Sequence, residues 1–367
     1  MKTQKLLSIT SILLAVLFNH YSANATIRRV NNSSNFNGST LWGDNFGGTF
    51  ANPVYKTLQE GVNASVNFDT LYLEGCASSQ NYNGVTLTKP LTIIGEGYFL
   101  NQNENVSVSK LETQLYDITF NNGSQQSQLL GVTITGTNGI KINTSSITIR
   151  RCKTSGGGIL MSNSITDINI IQCYLSGALL SGAAIGYSVG FGIVGLYINN
   201  NIFKAPLKLA NINVAECRNN VFDYVQLTGS SIEMNSNNFK NNIIKDASIT
   251  LNINNGLPSS SVSFNTGSSN AQFDYSGGYN NQLVPNMTTL FVANGSTDGL
   301  YQLQSGVINN YAGDDSTDRG AFGGSSVTNR YTLSGLASIP VIYDIFTSGT
   351  ATQQSGLDVT IKARTIK

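Results

Sequence analysis

One short pattern recurs along the middle of this chain and leaves few folds open to it. Ile149-Arg150-Arg151-Cys152 is echoed by Ile170-Ile171-Gln172-Cys173, then by Ile198-Asn199-Asn200-Asn201. Cys217-Arg218-Asn219-Asn220 and Phe239-Lys240-Asn241-Asn242 continue the series. The matching positions Cys152, Cys173, Asn201, Asn220 and Asn242 are 21, 28, 19 and 22 residues apart. Unequal steps around a constant motif mark a solenoid, in which each turn packs on its neighbours and insertions loop outward. The residue types suit the inward side of a tight corner. Stacked amides bond to those above and below, and Asn tolerates left-handed backbone. A small Cys fits the same corner at the cost of those bonds. The five positions are therefore read as a structural ladder that needs no ligand to explain it.

The segments between the corners read as strands. Asp69-Thr70-Leu71-Tyr72-Leu73-Glu74 alternates apolar and polar residues, and so do Val85-Thr86-Leu87, Ile140-Lys141-Ile142 and Ile147-Thr148-Ile149. They are short and bounded by Gly, Asn and Ser, with no helices between them. Only Val54, Leu58 and Val62, behind Pro53, have the spacing of one helix face, which predicts a capping helix over about 53–65. Residues 26–50, with Trp42, read as an irregular leader covering the first rung, and the stack is expected to fill 26–310. Residues 311–367 read as a loop and a hairpin closing the end of the solenoid, since open ends recruit other chains. Ile339 to Phe346 and Leu357 to Ala363 are its strands. In the second, Leu357, Val359, Ile361 and Ala363 alternate with polar residues, which predicts a half-buried face.

The N-terminus reads as a cleavable export signal over residues 1–25. Lys2 and Lys5 precede an apolar stretch from Leu6 to Phe18, and Ala23-Asn24-Ala25 fits the small-x-small cleavage pattern, so the mature chain is expected to start at Thr26. The apolar stretch is short for a membrane span. The uncharged stretch from Tyr174 to Leu196 carries Gly182, Gly186 and Gly190 at small-residue spacing, but serines and rung motifs interrupt and flank it. It reads as a buried rung with a Gly-rich excursion, leaving no transmembrane span in the mature chain. The expected location is secreted or cell-surface.

Composition narrows function mainly by exclusion. The 21 basic and 20 acidic residues balance to +1, which gives no electrostatic footprint for nucleic acid. The single histidine, His20, lies inside the leader, so the mature chain is expected to lack imidazole as base or metal ligand. Cys76, Cys152, Cys173 and Cys217 match no zinc spacing. Cys152 and Cys173 should stack about 4.8 Å apart on successive rungs, where parallel side chains favour two buried thiols over a disulfide. Asp314, Asp315 and Asp318 offer oxygen atoms of the kind calcium takes, but their spacing misses the known loop pattern, and a solvated loop is the expectation. No cofactor and no metal is expected.

The segments Thr57-Leu58-Gln59-Glu60-Gly61-Val62-Asn63, Asp69-Thr70-Leu71-Tyr72-Leu73 and Lys89-Pro90-Leu91-Thr92-Ile93-Ile94-Gly95 resemble the opening of the pectin-lyase-like superfamily. The likeness covers residues 54–97, with Phe68 where the family has Gly, and the Asn rungs extend it to about 245. It implies an all-β fold: a right-handed parallel β-helix with an N-terminal capping helix. It does not carry activity with it. Relatives that are pectate lyases use carboxylate-bound calcium with an Arg or Lys base, and polygalacturonases use several Asp residues with Gly-His-Gly. The second set is incompatible with a chain lacking His. For the first, Asp167, Glu216 and Glu233 do not share a rung position, and Arg150 and Arg151 have no acidic partner legible in sequence. No catalytic residue is assigned. The leading expectation is a non-catalytic, structural or glycan-binding protein whose partner is a polysaccharide or cell-surface glycan. The alternative is a lyase or glycoside hydrolase using carboxylates without histidine.

Overall fold

The computed structural model describes residues 26–34, 36, 52–76, 80–188, 192–225, 232–253, 261–275, 279–307, 312–347 and 356–365. The export-like leader and Trp42 lie outside them. The chain forms a parallel β-solenoid of about 9 turns built on three parallel sheets; those of 13 and 9 strands run along most of the stack, and the third, of 5 strands, spans the rungs from Val85 to Tyr187. One turn contributes Ile140–Ile142, Ile147–Arg150 and Lys153–Thr154, one strand to each sheet. The next contributes Ile159–Met161, Thr166–Ile171 and Tyr174–Leu175 in direct register, with Ile140 against Ile159, Ile149 against Ile170 and Lys153 against Tyr174.

The register explains the alternation. Ile147, Ile149, Ile168, Ile170, Leu196 and Ile198 stack inward and are fully buried, each worth roughly 1.5–3 kcal/mol relative to exposure. A one-residue slip would turn that whole column to solvent, so the register is strongly specified.

The capping helix is shorter than its spacing predicts. It spans Leu58–Ala64, while Val54–Tyr55 forms a strand paired with Ile27–Val30. Thr57 decides the boundary: its hydroxyl accepts from the Glu60 N–H while the Glu60 carboxylate accepts from the Thr57 N–H, a reciprocal cap that starts the helix at Leu58. The helix lays Leu58, Gly61 and Val62 on the first rung. No described helix is long and apolar enough to cross a membrane.

The stack also ends earlier than 310. Its last described rung strand is Gln282–Leu283, and the chain from Met287 to Tyr301 folds back over the outer face of the nine-stranded sheet. There Tyr301 donates to the Asp223 carboxylate at 2.6 Å, beside Lys204 at 2.8 Å and Lys245 at 3.2 Å. The hairpin, Pro340–Thr347 against Val359–Thr365, does not close the far end. It bonds to the excursion after the first rungs, through Ile342 O to Val108 N at 2.9 Å and Arg364 to Asn105 O at 2.8 Å. Its expected half-buried face is exposed: Val359 and Ile361 are 50% and 56% accessible. The first strand of the hairpin faces Tyr72, Gly95 and Glu96 of the stack, while Val359–Thr365 is exposed along its whole length, so its alternation reports strand pairing and not burial.

The ladder lies at the corner between the 13- and nine-stranded sheets. Asn201, Asn220 and Asn242 are fully buried, and the column continues through Asn265 and Asn281. Each member repeats one set of bonds. The Asn220 N–H donates to Asn242 Oδ1 at 2.9 Å, and its side-chain amide donates to Asn242 Oδ1 at 3.0 Å and to Ile198 O on the previous rung at 2.8 Å. Its Oδ1 accepts from both nitrogens of Asn201. Cys152 and Cys173 occupy the preceding two steps. Their thiols aim at Leu129 O and Ile149 O, the carbonyls equivalent to Ile198 O, at 3.4 and 3.6 Å. All four cysteines are buried and free, and burial pushes the Cys152 and Cys217 thiols up.

Replacing Asn220 with Ala would strand buried donors on Asn201 and the Ile198 carbonyl. Urea denaturation is expected to show a loss of about 1–3 kcal/mol; an unchanged midpoint would contradict the ladder. Thiol titration should find four free thiols after denaturation without reductant, none reacting quickly in the native protein.

Candidate functional site

The corner has a second column beside the ladder. The residue before each ladder position has left-handed backbone: Arg151, Gln172, Asn200, Asn219 and Asn241 have φ between 53° and 58°. Sequence reasoning credited the left-handed geometry to the ladder residue itself; it belongs to its predecessor, whose side chain therefore turns outward. That turn explains the doubled Asn-Asn motif, one amide for the interior and one for the outer side of the corner, where it is also buried.

What the outer column meets is the segment 312–338. It leaves the far end of the stack and runs back along the corner as a strap. Asn241 donates to Asp314 Oδ1 at 2.8 Å, and Asn219 donates to Asp318 O at 3.3 Å. Asn200 donates to Ala321 O and Gly323 O at 2.9 and 2.8 Å. Gln172 donates to Thr328 O and Arg330 O, and Arg151 to Leu336 O at 2.8 Å. At the near end Ser334 O accepts from Tyr98 N at 2.8 Å, so close to Gly97 (φ 110°) that a Cβ there would sit 2.3 Å from that carbonyl. Arg319 anchors the far end. It is 2% exposed and donates to the carbonyls of Ala312, Asn265 and Asn280. The run around Asp314 to Gly324, expected as a solvated loop, is therefore docked, because corner carbonyls need a donor and Arg319 supplies several.

The strap forms one wall of a groove of about 440 Å³; the outward face of the 13-stranded sheet forms its floor. Strand alternation and register put Asn169, Tyr197 and Glu216 in one outward column and Ile171, Asn199 and Arg218 in the next. Ser325, Ser326, Asn329 and Asp315 line the strap side. Tyr197 is 37% exposed and, among the described residues, is the one aromatic ring lining the groove.

Glu216 and Arg218 engage each other, while the Asp315 carboxylate accepts from the backbone and hydroxyl of Thr317. Glu216 accepts from Asn199 at 2.9 Å and lies 3.4 Å from the Arg218 guanidinium. Arg218 also pairs with Asp314, which Lys240 approaches at 3.9 Å. Burial alone would raise the Asp314 pKa, but hydrogen bonds from Arg218 and Asn241 and the charges of Arg218 and Lys240 hold it below the ordinary carboxylate range. Glu216, which sequence spacing left without a shared rung position, meets Arg218, a residue the sequence marked only as part of the repeat, and the strap brings Asp314 to Arg218 from 96 residues away. Arg150 and Arg151 take no part: both donate to Gln172 Oε1, and burial with mutual repulsion lowers Arg151 to about 10. Asp167 and Glu233 do not line the groove. Among the described residues no group of three or more His, Cys, Asp or Glu side chains is placed to hold a metal ion.

Comparison with family models, with curated proteins and with solved structures finds no match for this chain.

Docking of the strap carries a pH signature. A depressed folded pKa means that Asp314 stabilises the docked strap above about pH 4, the unfolded carboxylate value, and that this contribution is lost as pH falls through the folded value. Pepsin nicking within 312–338 is expected to rise steeply at the acid end in the wild type. Asp314→Asn should nick readily already at pH 5. Equal cleavage of both proteins across that range would contradict the assignment.

Proposed function

We propose that this protein is exported and, outside the cell or at its surface, binds a polysaccharide or surface glycan along the strap-walled groove without cleaving it. The observation that carries the reading is the make-up of the groove: among the described residues, one exposed tyrosine beside amides, hydroxyls, the Glu216–Arg218 ion pair and the Asp315 carboxylate. Sugars present apolar ring faces and rows of hydroxyls. An aromatic ring takes the first, and fixed side-chain amides and carboxylates take the second. Binding without turnover fits carboxylates already committed to partners. Asp314 in particular is held ionised and serves poorly as a general acid, which needs a raised pKa.

Export rests on the Lys2–Ala25 leader pattern. The right-handed winding and the tie to pectin-lyase-like proteins rest on the opening motifs in residues 54–97 and on the parallel corner ladder. One observation favours the second reading, a carboxylate lyase or glycoside hydrolase: Glu216, Arg218 and Asp315 line the same groove.

Calorimetric titration against neutral and acidic plant and microbial polysaccharides is expected to find one class that binds. Tyr197→Ala should weaken it by about 1–3 kcal/mol, the worth of a stacked ring at a partly desolvated site. Release of unsaturated or reducing-end sugars, abolished in Glu216→Gln, would replace the binding reading with the lyase or hydrolase one. No binding by any polysaccharide would leave the protein a structural element.

A further inference from the structure

Among the described residues, Asp69 is the one carboxylate of the first rung with no exposed surface. It sits at the turn where the helix hands the chain to strand Thr70–Leu73, and its partners come from three directions. Oδ2 accepts from Arg28 Nε at 2.8 Å and from the Val66 N–H at 3.0 Å. Oδ1 accepts from the backbone nitrogen of Thr26 at 2.8 Å. That nitrogen is held in place by the sheet, because Thr26 O accepts from Thr70 N at 2.9 Å and Ile27–Val30 pairs residue by residue with Thr70–Leu73.

Thr26 is also the residue at which the leader pattern places the start of the mature chain. We propose that Asp69 is the receptor for the α-ammonium group that cleavage before Thr26 creates, so that the processed chain is held to its first rung by an ion pair the precursor lacks. The inference rests on the export reading above. Hydrolysis adds one water across the Ala25–Thr26 peptide, leaving a carboxylate on Ala25 and an amine on Thr26 that takes up a proton. The nitrogen that donated one neutral N–H to Asp69 Oδ1 then donates from a full positive charge at the same position. A charge-assisted bond of that length at a water-excluded carboxylate is stronger than the neutral one it replaces. Removing the leader therefore does more than free the chain. It completes the edge on which the first rung, and so the stack above it, is built.

The other charged and titratable groups around the pair are few. Arg28, on the same strand, shares the carboxylate and opposes the ammonium, but it occupies the other oxygen and also donates to Tyr55 Oη at 3.3 Å. Tyr55 lies on the neighbouring strand. Lys89, from the turn of the next rung, spends its ammonium on Val62 O and Ser65 O at 3.0 and 2.7 Å. Neither Tyr55 nor Lys89 bonds to Asp69.

The test is a pH series of α-amine acetylation on the exported, processed protein, read by mass spectrometry on the N-terminal peptide. The same protein in urea is the reference. An unpaired α-amine titrates near 7.7–8.0, and direct pairing with a carboxylate raises such a group by about 1–3 units. The expected result is an N-terminus at Thr26 whose reactivity midpoint lies at least about one unit higher in the native protein than in urea, with Asp69→Asn abolishing the difference. Steric shielding alone would slow the reaction at every pH without moving the midpoint. Should Asp69→Asn fail to fold, the native-against-urea comparison still decides. Equal midpoints at a Thr26 terminus would overturn the pairing and leave export standing; a processed terminus at another residue would overturn the pairing and the Thr26 cleavage site, and an intact Met1 terminus on protein retained in the cell would overturn export as well.

Discussion

The structure depends on how each rung turns the corner between its two largest sheets. A two-residue corner leaves backbone groups that neither sheet can satisfy, and a buried N–H or C=O without a partner costs about 1–3 kcal/mol. Here the inward amide answers that demand. Each Asn in the column takes the N–H of the rung before it, and the side-chain amide too where that residue is Asn, and returns a bond to the carbonyl three residues before its predecessor. No member is satisfied by its own rung alone. The column therefore works as a spine that makes neighbouring rungs conditional on one another, as solenoid cooperativity requires.

The same corner produces the surface feature most relevant to function. Holding one residue left-handed turns its side chain out, and Arg151, Gln172, Asn200, Asn219 and Asn241 then present a row of donors along the stack axis. The strap answers with its own carbonyls, an irregular segment that closes its local turns with bonds of its own and docks through bonds to the row. Because the strap lies beside the outward face of the 13-stranded sheet, it raises a wall there and encloses polar surface that would otherwise be flat. Groove and ladder are thus two consequences of one turn geometry.

The stack was legible from the sequence because its signal is periodic and local. Cys152, Cys173, Asn201, Asn220 and Asn242 announce the rungs through residue identity at a fixed place in a motif. The ladder's last two members were less visible: Phe264 stands where the motif has an outward polar residue before Asn265, and the step to Asn281 is only 16 residues. The helix start was misplaced because Val54 obeys both the helical spacing and the strand it joins, and only the reciprocal cap at Thr57 distinguishes them. The groove was not legible at all. Glu216 and Arg218 are two residues apart, yet their meeting with Asp314 needs a strap that crosses most of the molecule, and nothing in a polar Gly-rich run states where it docks. The hairpin misled for a related reason: alternation reports a strand with two different faces, and in Val359–Thr365 neither face is covered.

The central claim is that the inward amides hold successive rungs together as one unit. It is tested most directly by native-state hydrogen exchange of the N–H groups of Cys173, Asn201, Asn220, Asn242 and Asn265, which donate not to a strand partner but to the side chain of the next rung. The account requires these five to exchange only when the stack itself opens, with the slow free energies of the core strands and with a common dependence on denaturant. Exchange at loop rates at these positions, while Ile149, Ile170 and Ile198 remain protected, would show that the sheets hold the solenoid and the ladder merely decorates its corner.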